Sequence, residues 1–249
     1  MAVISLINVK GGVGKTATAI NLAGAIAYQK HKVLLIDNDS QSSLSQILNI
    51  KNKFNMYDLY SNYKVGFSDC IVKYNEYIHV IPNTIESSVL ERQLYNKKCP
   101  EHILKFKYSI FTHDYDFVII DNSPFLGIMV QNSLCMSDYY MEIIDNSPSA
   151  LQGLNMVNKI VNELEENRLI NSLKLIGILR NRFEKRTVFT RQFTEVTEEV
   201  LKGDLFNTII LDSVKYKEAT AMNKTIQEYS DKHAKAYTDL YYEILKRIK

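Results

Sequence analysis

The chain has no tryptophan, and only three cysteines, four prolines and nine glycines in 249 residues. Cys70, Cys99 and Cys135 are scattered and odd in number, with no C-x-x-C pair. That usage argues against a zinc or disulfide framework and fits ordinary buried thiols in a reducing cytoplasm. No apolar stretch reaches the roughly eighteen residues that a membrane span requires. The N-terminal apolar run is too short for a signal-peptide core and leads straight into a glycine-rich loop. A strong charge of either sign is also missing. The net charge is +2 and the pI is near 8.2, so any nucleic-acid-binding surface has to be local. Repeats, low-complexity tracts and long linkers are absent. With 46% hydrophobic residues there is enough apolar material for a sizeable core, and residues 1–249 are expected to form a single domain.

Short apolar runs recur along the chain: AVISLIN at the start, then Lys32–Asp37, Ile78–Asn83, Asp116–Asp121, Tyr139–Asp145, Leu173–Asn181 and Asn207–Asp212. Several are continuously apolar, as strands buried on both faces require. Helical periodicity lies between most of them, for example over Leu151–Asn167. Strands alternating with helices predict an α/β fold: a doubly wound, mostly parallel sheet with helices on both faces. The segment from Ile50 to Tyr77 is the least regular. In such a fold ligands bind beyond the carboxyl ends of the strands. The chemistry-bearing residues stand there: the glycine loop after the first strand, Asp37-Asn38-Asp39 after the second, Asp121 after the fourth and Asn181-Arg182 after the sixth.

The loop reads KGGVGKT, Lys10 to Thr16. Gly11, Gly12 and Gly14 allow successive backbone N–H groups to face one anion, and the helix that starts near Lys15 adds its positive end. Lys15 is placed to reach the β- and γ-phosphates of a nucleotide, and the Thr16 hydroxyl to ligate Mg²⁺. The ordinary phosphate-binding pattern has a glycine at its head and one lysine. Here the head position is Val9, and a second lysine, Lys10, stands beside it. Asp121, closing an apolar strand, is placed to hold the metal through water. Asp37 and Asp39 lie two apart, so in extended chain both would face the γ-phosphate, one polarising the attacking water and the other positioning metal or loop.

Lys10 with GGVGKT resembles the deviant Walker A loop of the ParA/MinD ATPase family. DNDSQ (Asp37 to Gln41) is similar to that family's DxDPQ, VIIDNSP (Val118 to Pro124) to its Walker B segment, LQGL (Leu151 to Leu154) to its A-L-x-G-L helix start, and SVKYKEA (Ser213 to Ala219) to its S-V-R-L-x-E-A segment. The resemblance covers essentially the whole chain. It implies ATP and Mg²⁺ as cofactors, with Lys10, Gly11, Gly12, Val13, Gly14, Lys15, Thr16 and Ala17 around the phosphates, Thr16, Asp37 and Asp121 at the metal, and Asn181 reading adenine. It gives catalytic roles to Lys10, Lys15 and Asp39, the last as the water-activating carboxylate. It further implies an ATP-dependent homodimer, in which Lys10 crosses the interface to the partner's nucleotide and gains its counter-charge only when nucleotide is present.

Two branches of this family differ in what the dimer does. The ParA/Soj branch binds DNA non-specifically and works with a centromere-binding, ParB-like adaptor in plasmid or chromosome partition. The MinD branch binds membranes through a C-terminal amphipathic helix. The last segment, AKAYTDLYYEILKRIK, has helical apolar spacing but carries Asp239 and Glu243 among its lysines, so a helix packed on the sheet is expected, without stable membrane association. Arg186 and Lys215 match the family's DNA-backbone cations, with Lys217 and Arg191 as further candidates. These features point to the partition branch, cytoplasmic and nucleoid-associated. Nitrogenase-iron-protein-like reductases share the loop, but Cys99 and Cys135 do not fall in the segments a bridging cluster needs. Ser40 stands where the family has proline, Asn122-Ser123 where it has Thr-Pro, and the fifth strand lacks the usual prolines, so its end is expected to run differently.

Overall fold

The computed structural model describes residues 1–184 and 188–248. Eight strands form one sheet: β1 (Ala2–Ile7), β2 (Val33–Asn38), β3 (Val72–Lys73), β4 (Ile78–Ile81), β5 (Phe117–Asn122), β6 (Tyr139–Ile144), β7 (Lys174–Phe183) and β8 (Leu205–Leu211). Their spatial order is β3-β4-β2-β5-β1-β6-β7-β8. All neighbours pair in parallel except β3, which runs antiparallel to β4 at the edge. The seven expected strands are present, with ends displaced by up to two residues. The eighth, β3, lies in the irregular segment and is only two residues long, too short to leave a periodic signal.

The helices are α1 (Lys15–Tyr28), α2 (Ser43–Ile47), α3 (Met56–Ser61), α4 (Phe67–Cys70), α5 (Leu90–Leu94), α6 (Ile103–Ser109), α7 (Ile128–Met136), α8 (Ala150–Glu166), α9 (Val188–Val200), α10 (Val214–Ala221) and α11 (Asp231–Arg247). Central strands such as β1, β2 and β5 are buried at every position, because helices cover both faces. One face packs Ile4, Leu6, Leu35 and Ile119 against α1 and α11. The other packs Val3, Leu34, Ile36 and Ile120 against α3, α5 and α7. The outward alternation of β1 is therefore between two cores, not between core and water.

Helix α11 settles the reading of the C-terminal segment. Its apolar face, with Tyr237, Leu240, Tyr241 and Ile244, is buried in the same core as α1. Glu243 accepts the Asn207 and Thr208 backbone N–H groups. Arg247 donates to the carbonyls of Ile176, Asp204 and Leu205 and stacks on Phe206 at 4.4 Å. Glu243 and Arg247, which look like part of a polar face in sequence, thus tie the helix to the edge of the sheet, whereas Asp239 pairs with Lys235 on the helix surface. Among the described residues no helix is long and apolar enough to cross a membrane. One expectation fails: Cys70 and Cys135 are buried, but Cys99 is exposed, because it stands at a left-handed turn, φ 46°, ahead of Pro100 and not within a packed element.

Strands β2 to β5 lie on one side of β1 and β6 to β8 on the other. A crevice at such a switch point opens beyond the carboxyl end of β1, and the glycine loop enters it.

Candidate nucleotide site

The loop after β1 is shaped by its own glycines and by one asparagine. Gly12 and Gly14 adopt left-handed φ of 80° and 94°, and Gly14 caps α1. A β-carbon on Gly14 would press on the Asn181 side-chain amide, and the left-handed φ strains any other residue there. Asn8, the first residue after β1, ties the loop to the sheet: its Nδ2 donates to the Ile143 carbonyl at 2.7 Å and its Oδ1 accepts the Lys10 N–H at 2.7 Å. Sequence reasoning missed Asn8, although a polar side chain at the mouth of a buried strand was the available signal.

The two lysines point to different places. Lys15 is buried, and its Nζ donates to the carbonyls of Asn8 at 3.0 Å and Lys10 at 3.3 Å. Burial lowers its pKa, and the nearby carboxylates of Asp121 and Asp39 oppose that shift. The Lys10 side chain points out of the loop, and its Nζ donates to Asp145 Oδ2 at 2.5 Å and Ser147 Oγ at 3.0 Å. The expectation that Lys10 has no counter-charge without nucleotide is therefore corrected. Strand β6 pairs directly with β1, so the segment after β6 ends beside the loop. The proline-free end of that strand supplies the acceptors.

The carboxylates also divide. Asp37 and Asp121 are opposite each other in the β2–β5 register, and both are fully buried. Asp37 Oδ2 accepts the Ser45 N–H at 2.9 Å and hydroxyl at 2.6 Å, and its Oδ1 accepts the Asp39 N–H at 3.3 Å. Burial pushes its pKa up to about 7. Among the described residues neither oxygen of Asp121 has a hydrogen bond of good geometry, although the Thr16 hydroxyl lies close enough to favour its charged form. Burial, then the charge of Asp37, push Asp121 up to about 8. Asp39 follows the end of β2 and is half-buried. Its Oδ1 accepts the Gln41 N–H at 2.9 Å, and its carbonyl accepts Asn83 Nδ2 at 3.0 Å. The two-residue alternation that would align Asp37 with Asp39 stops where the strand does.

A metal ion fits one part of this arrangement. Two unpartnered buried carboxylate oxygens beside a hydroxyl are what a hard cation would satisfy. Among the described residues no group of three or more His, Cys, Asp or Glu is arranged to hold a metal, so a cation here needs oxygens from a bound nucleotide as well. Asn122 and Asn38 face away from the loop. Asn38 Nδ2 donates to Asn122 Oδ1 at 2.8 Å, Tyr60 donates to Asn38 Oδ1 at 3.0 Å, and Asn122 Nδ2 donates to the Leu6 carbonyl at 3.1 Å.

Asn181 is buried at the end of β7 and donates to the Val13 carbonyl at 2.7 Å. Beside it lies a cavity of about 280 Å³, walled by Gly14, Ala17, Asn181, Tyr216 and Tyr237, large enough for a purine. Loop, buried lysine, orphaned carboxylate and base-sized cavity thus follow one another along the ends of β5, β1 and β7.

A family model described as an AAA domain (AAA_31) matches residues 1–175. The chain is 31% identical over 248 residues to the sporulation initiation inhibitor protein Soj of Bacillus subtilis, covering 97% of each. It is 30% identical over 250 residues to the chromosome partitioning protein ParA of Myxococcus xanthus, covering 98% of this chain and 88% of that one. This chain belongs to the ParA/Soj family. Its fold is similar to that of a plasmid partition protein from Borrelia burgdorferi bound to AMPPNP, with TM-score 0.86, 25% identity and 99% of each chain covered.

Of the residues expected from the sequence to contact DNA, Arg186 lies outside the described residues, as does the side chain of Arg191. Lys215 is exposed on α10 but paired with Glu218 at 2.7 Å. Lys217 lines the base-sized cavity.

Proposed function

We propose that this ParA/Soj-family chain is a Mg²⁺-dependent ATPase, built as one domain over residues 1–249, that dimerises on ATP and serves in DNA partition. The observation that carries the reading is the division of labour between the two loop lysines. Lys15 is drawn into the loop against its carbonyls, whereas Lys10 reaches outward to the segment after β6.

In this reading the N–H groups of residues 11–17 and the α1 N-terminus hold the phosphates of ATP, and Lys15 exchanges its two carbonyl acceptors for phosphate oxygens. Thr16 and Asp121 would hold Mg²⁺, Asp121 through water and with Asp37 behind it. The ion supplies charge neutralisation for the β- and γ-phosphates. Asp39, just beyond the end of β2, takes a proton from the attacking water, whose oxygen bonds to the γ-phosphorus as the bond to the β,γ-bridging oxygen breaks. ADP and phosphate result. Lys10 leaves Asp145 to meet the partner's nucleotide, neutralising charge in trans as an arginine finger does. Asn181 contacts adenine.

Partition is favoured over membrane positioning because the apolar face of α11 is already committed to the core. By similarity to ParA and Soj, the ATP dimer binds DNA without sequence preference, through Arg186 and Lys215, and is stimulated by a ParB-like adaptor; a cytoplasmic, nucleoid-associated location goes with that reading. The test is light scattering and DNA retardation of the purified chain in ATP, ADP and no nucleotide. Dimerisation and DNA retardation confined to ATP are expected. Sedimentation with anionic vesicles in ATP, without DNA retardation, would replace partition with the membrane reading.

A further inference from the structure

Arg182 occupies an unusual position for a large side chain. It has a left-handed φ of 58°, a conformation that costs a non-glycine residue on the order of 1 kcal/mol. The β7–β8 pairing shifts register between Asn181 and Phe183, so Arg182 is the bulged residue that points out of the strand. Three contacts go with this backbone. Its Nη1 donates to the Gly12 carbonyl at 2.7 Å. Its Nε faces Asp212 Oδ1 at 3.7 Å, at the end of β8. Its Cδ lies 3.9 Å from where a β-carbon of Gly14 would be. The side chain therefore spans from the phosphate loop to the segment before α10, across the mouth of the base-sized cavity.

We infer that Arg182 is a further nucleotide-binding residue, which with Asp212 closes the cavity over the sugar and α-phosphate of bound ATP or ADP. The inference rests on the proposed ATP site. Asn181, one residue earlier, marks the base end of that site, and Gly12 to Gly14 mark the phosphate end. Arg182 lies between them. Its guanidinium has donors to hold the Gly12 carbonyl and Asp212 and still face an oxygen of the nucleotide. An outward bulge in this strand brings the cation to the junction; a regular strand would turn the side chain at 182 into the sheet's opposite face. A strained backbone retained at a ligand site is a reason to look for function there. This contact involves only the part of the nucleotide that ATP and ADP share, whereas Lys15 serves the β-phosphate of both and the γ-phosphate of ATP as well.

The test is titration calorimetry with unlabelled ATP and ADP on the full chain, comparing wild type with Arg182→Ala, Arg182→Gly, Arg182→Lys, Asp212→Ala, Arg182→Ala/Asp212→Ala and Lys15→Ala. Arg182→Ala and Arg182→Gly should weaken ATP and ADP alike, by about tenfold, as loss of a charge-assisted hydrogen bond does. Arg182→Gly should melt at or above the wild-type temperature, because glycine relieves the left-handed φ. That separates lost binding from lost folding. Arg182→Lys should not restore affinity, since one ammonium cannot span both acceptors. Asp212→Ala should reproduce part of the loss, and the double variant should be no worse than Arg182→Ala. If Arg182→Gly binds both nucleotides as wild type does while Lys15→Ala loses them, Arg182 is only a bulge and the inference fails with the ATP site intact. If Arg182→Ala weakens ATP but not ADP, the cation acts at the γ-phosphate and the inference is also overturned. If the wild type binds neither nucleotide, the proposed function itself falls.

Discussion

Two buried carboxylates with unpartnered oxygens among the described residues lie in one sheet, and their surroundings are opposite. Asp121 ends β5 at the mouth of the crevice, and both its oxygens are unpartnered. Glu142 lies within β6, 1% exposed, with Oε2 unpartnered. Burial pushes each up to about 8. Around Asp121, Lys15 and the Thr16 hydroxyl favour the charged form, and the α1 N-terminus points into the same space. Glu142 faces Asp204, a charge of its own sign. An unpartnered buried carboxylate is thus a binding group where positive charge converges on it, and a cost to folding where none does.

The comparison is sharpened most strongly at Asp39, which unlike Asp37 and Asp121 is half-buried and placed to touch water. Asp39→Ala should lower ATP turnover by about 10²–10⁴-fold, the usual worth of a general base, while ATP binding is retained. Steady-state phosphate release and calorimetry measure the two separately. Turnover equal to wild type would remove Asp39 from the mechanism. Loss of binding alone would make it a structural or metal residue.

Asp121 and Glu142 are then compared directly. Asp121→Asn should reduce Mg²⁺-dependent turnover by roughly 10–100-fold, as removing an outer ligand of a metal does. Glu142→Gln should leave turnover within about twofold of wild type, the scatter expected away from any site. A magnesium titration of activity distinguishes them, since only Asp121→Asn should need more metal to reach half-maximal rate. Equal effects from both would mean that burial, and not converging charge, is what matters.

Stability should move the other way. The folded pKa of Glu142, about 8 against an ordinary 4.5, means the fold holds its proton more tightly than the unfolded chain does. That contribution is fully present below pH 4.5 and is lost as pH rises through about 8. Glu142→Gln keeps the neutral form at every pH. It should therefore stabilise the protein at pH 8 by about 1–3 kcal/mol, the cost of an unsatisfied buried polar group, and by little at pH 5. Urea melts at the two pH values read the difference, and a gain that does not grow with pH would show that Glu142 finds a partner in solution.

How far the sequence carried depends on whether a signal was local. The seven longer strands, α1 and the loop were legible because continuous apolar runs and glycines at fixed offsets leave their pattern in consecutive residues. The location of the glycine loop and of Asn181 toward the carboxyl ends of β1 and β7 was legible from where the apolar runs stop. The acceptors of Lys10 did not, because Asp145 is 135 residues away and meets it only through the β1–β6 pairing. The division between Asp37 and Asp39 was hidden for a related reason. It depends on β2 ending at Asn38 and on Ser45 folding back onto Asp37, and strand ends are the least regular part of a periodic pattern. The buried network of Asn38, Asn122 and Tyr60 likewise joins three elements that no spacing connects.

Asp145 tests the outer edge of the comparison, where a positive group has found its carboxylate within one protomer. Asp145→Asn removes the charge and keeps the shape. Lys10 is then free to leave, and ATP-dependent dimerisation should shift to several-fold lower protein concentration, in keeping with the modest worth of a partly exposed pair. Lys10→Ala should bind ATP and remain monomeric. Light scattering over a concentration series measures both. If Lys10→Ala dimerises normally, the lysine does not act in trans.

The smallest expected effect is at Lys215, and it turns on a pairing that the sequence did not reveal. Lys215 is bound to Glu218 one helical turn away, and Glu218 also accepts from Tyr229. A phosphate contact there has to displace an existing partner, so the net gain per contact is smaller than for a free cation. DNA retardation in ATP over a salt series separates the parts. Each phosphate contact contributes a slope of about −0.9 in log K against log salt. Lys215→Glu should flatten the slope by one such increment per protomer and weaken all sequences alike, since backbone contacts carry no base information. Glu218→Gln should do the reverse: with its competitor neutralised, Lys215 binds phosphate more strongly, and affinity at low salt rises modestly at an unchanged slope. If Lys215→Glu leaves the slope unchanged, Lys215 is not at the DNA and the contact surface has to be sought elsewhere. If Glu218→Gln instead lowers affinity, the pair serves to position α10, and Lys215 reaches phosphate only while Glu218 holds it in place.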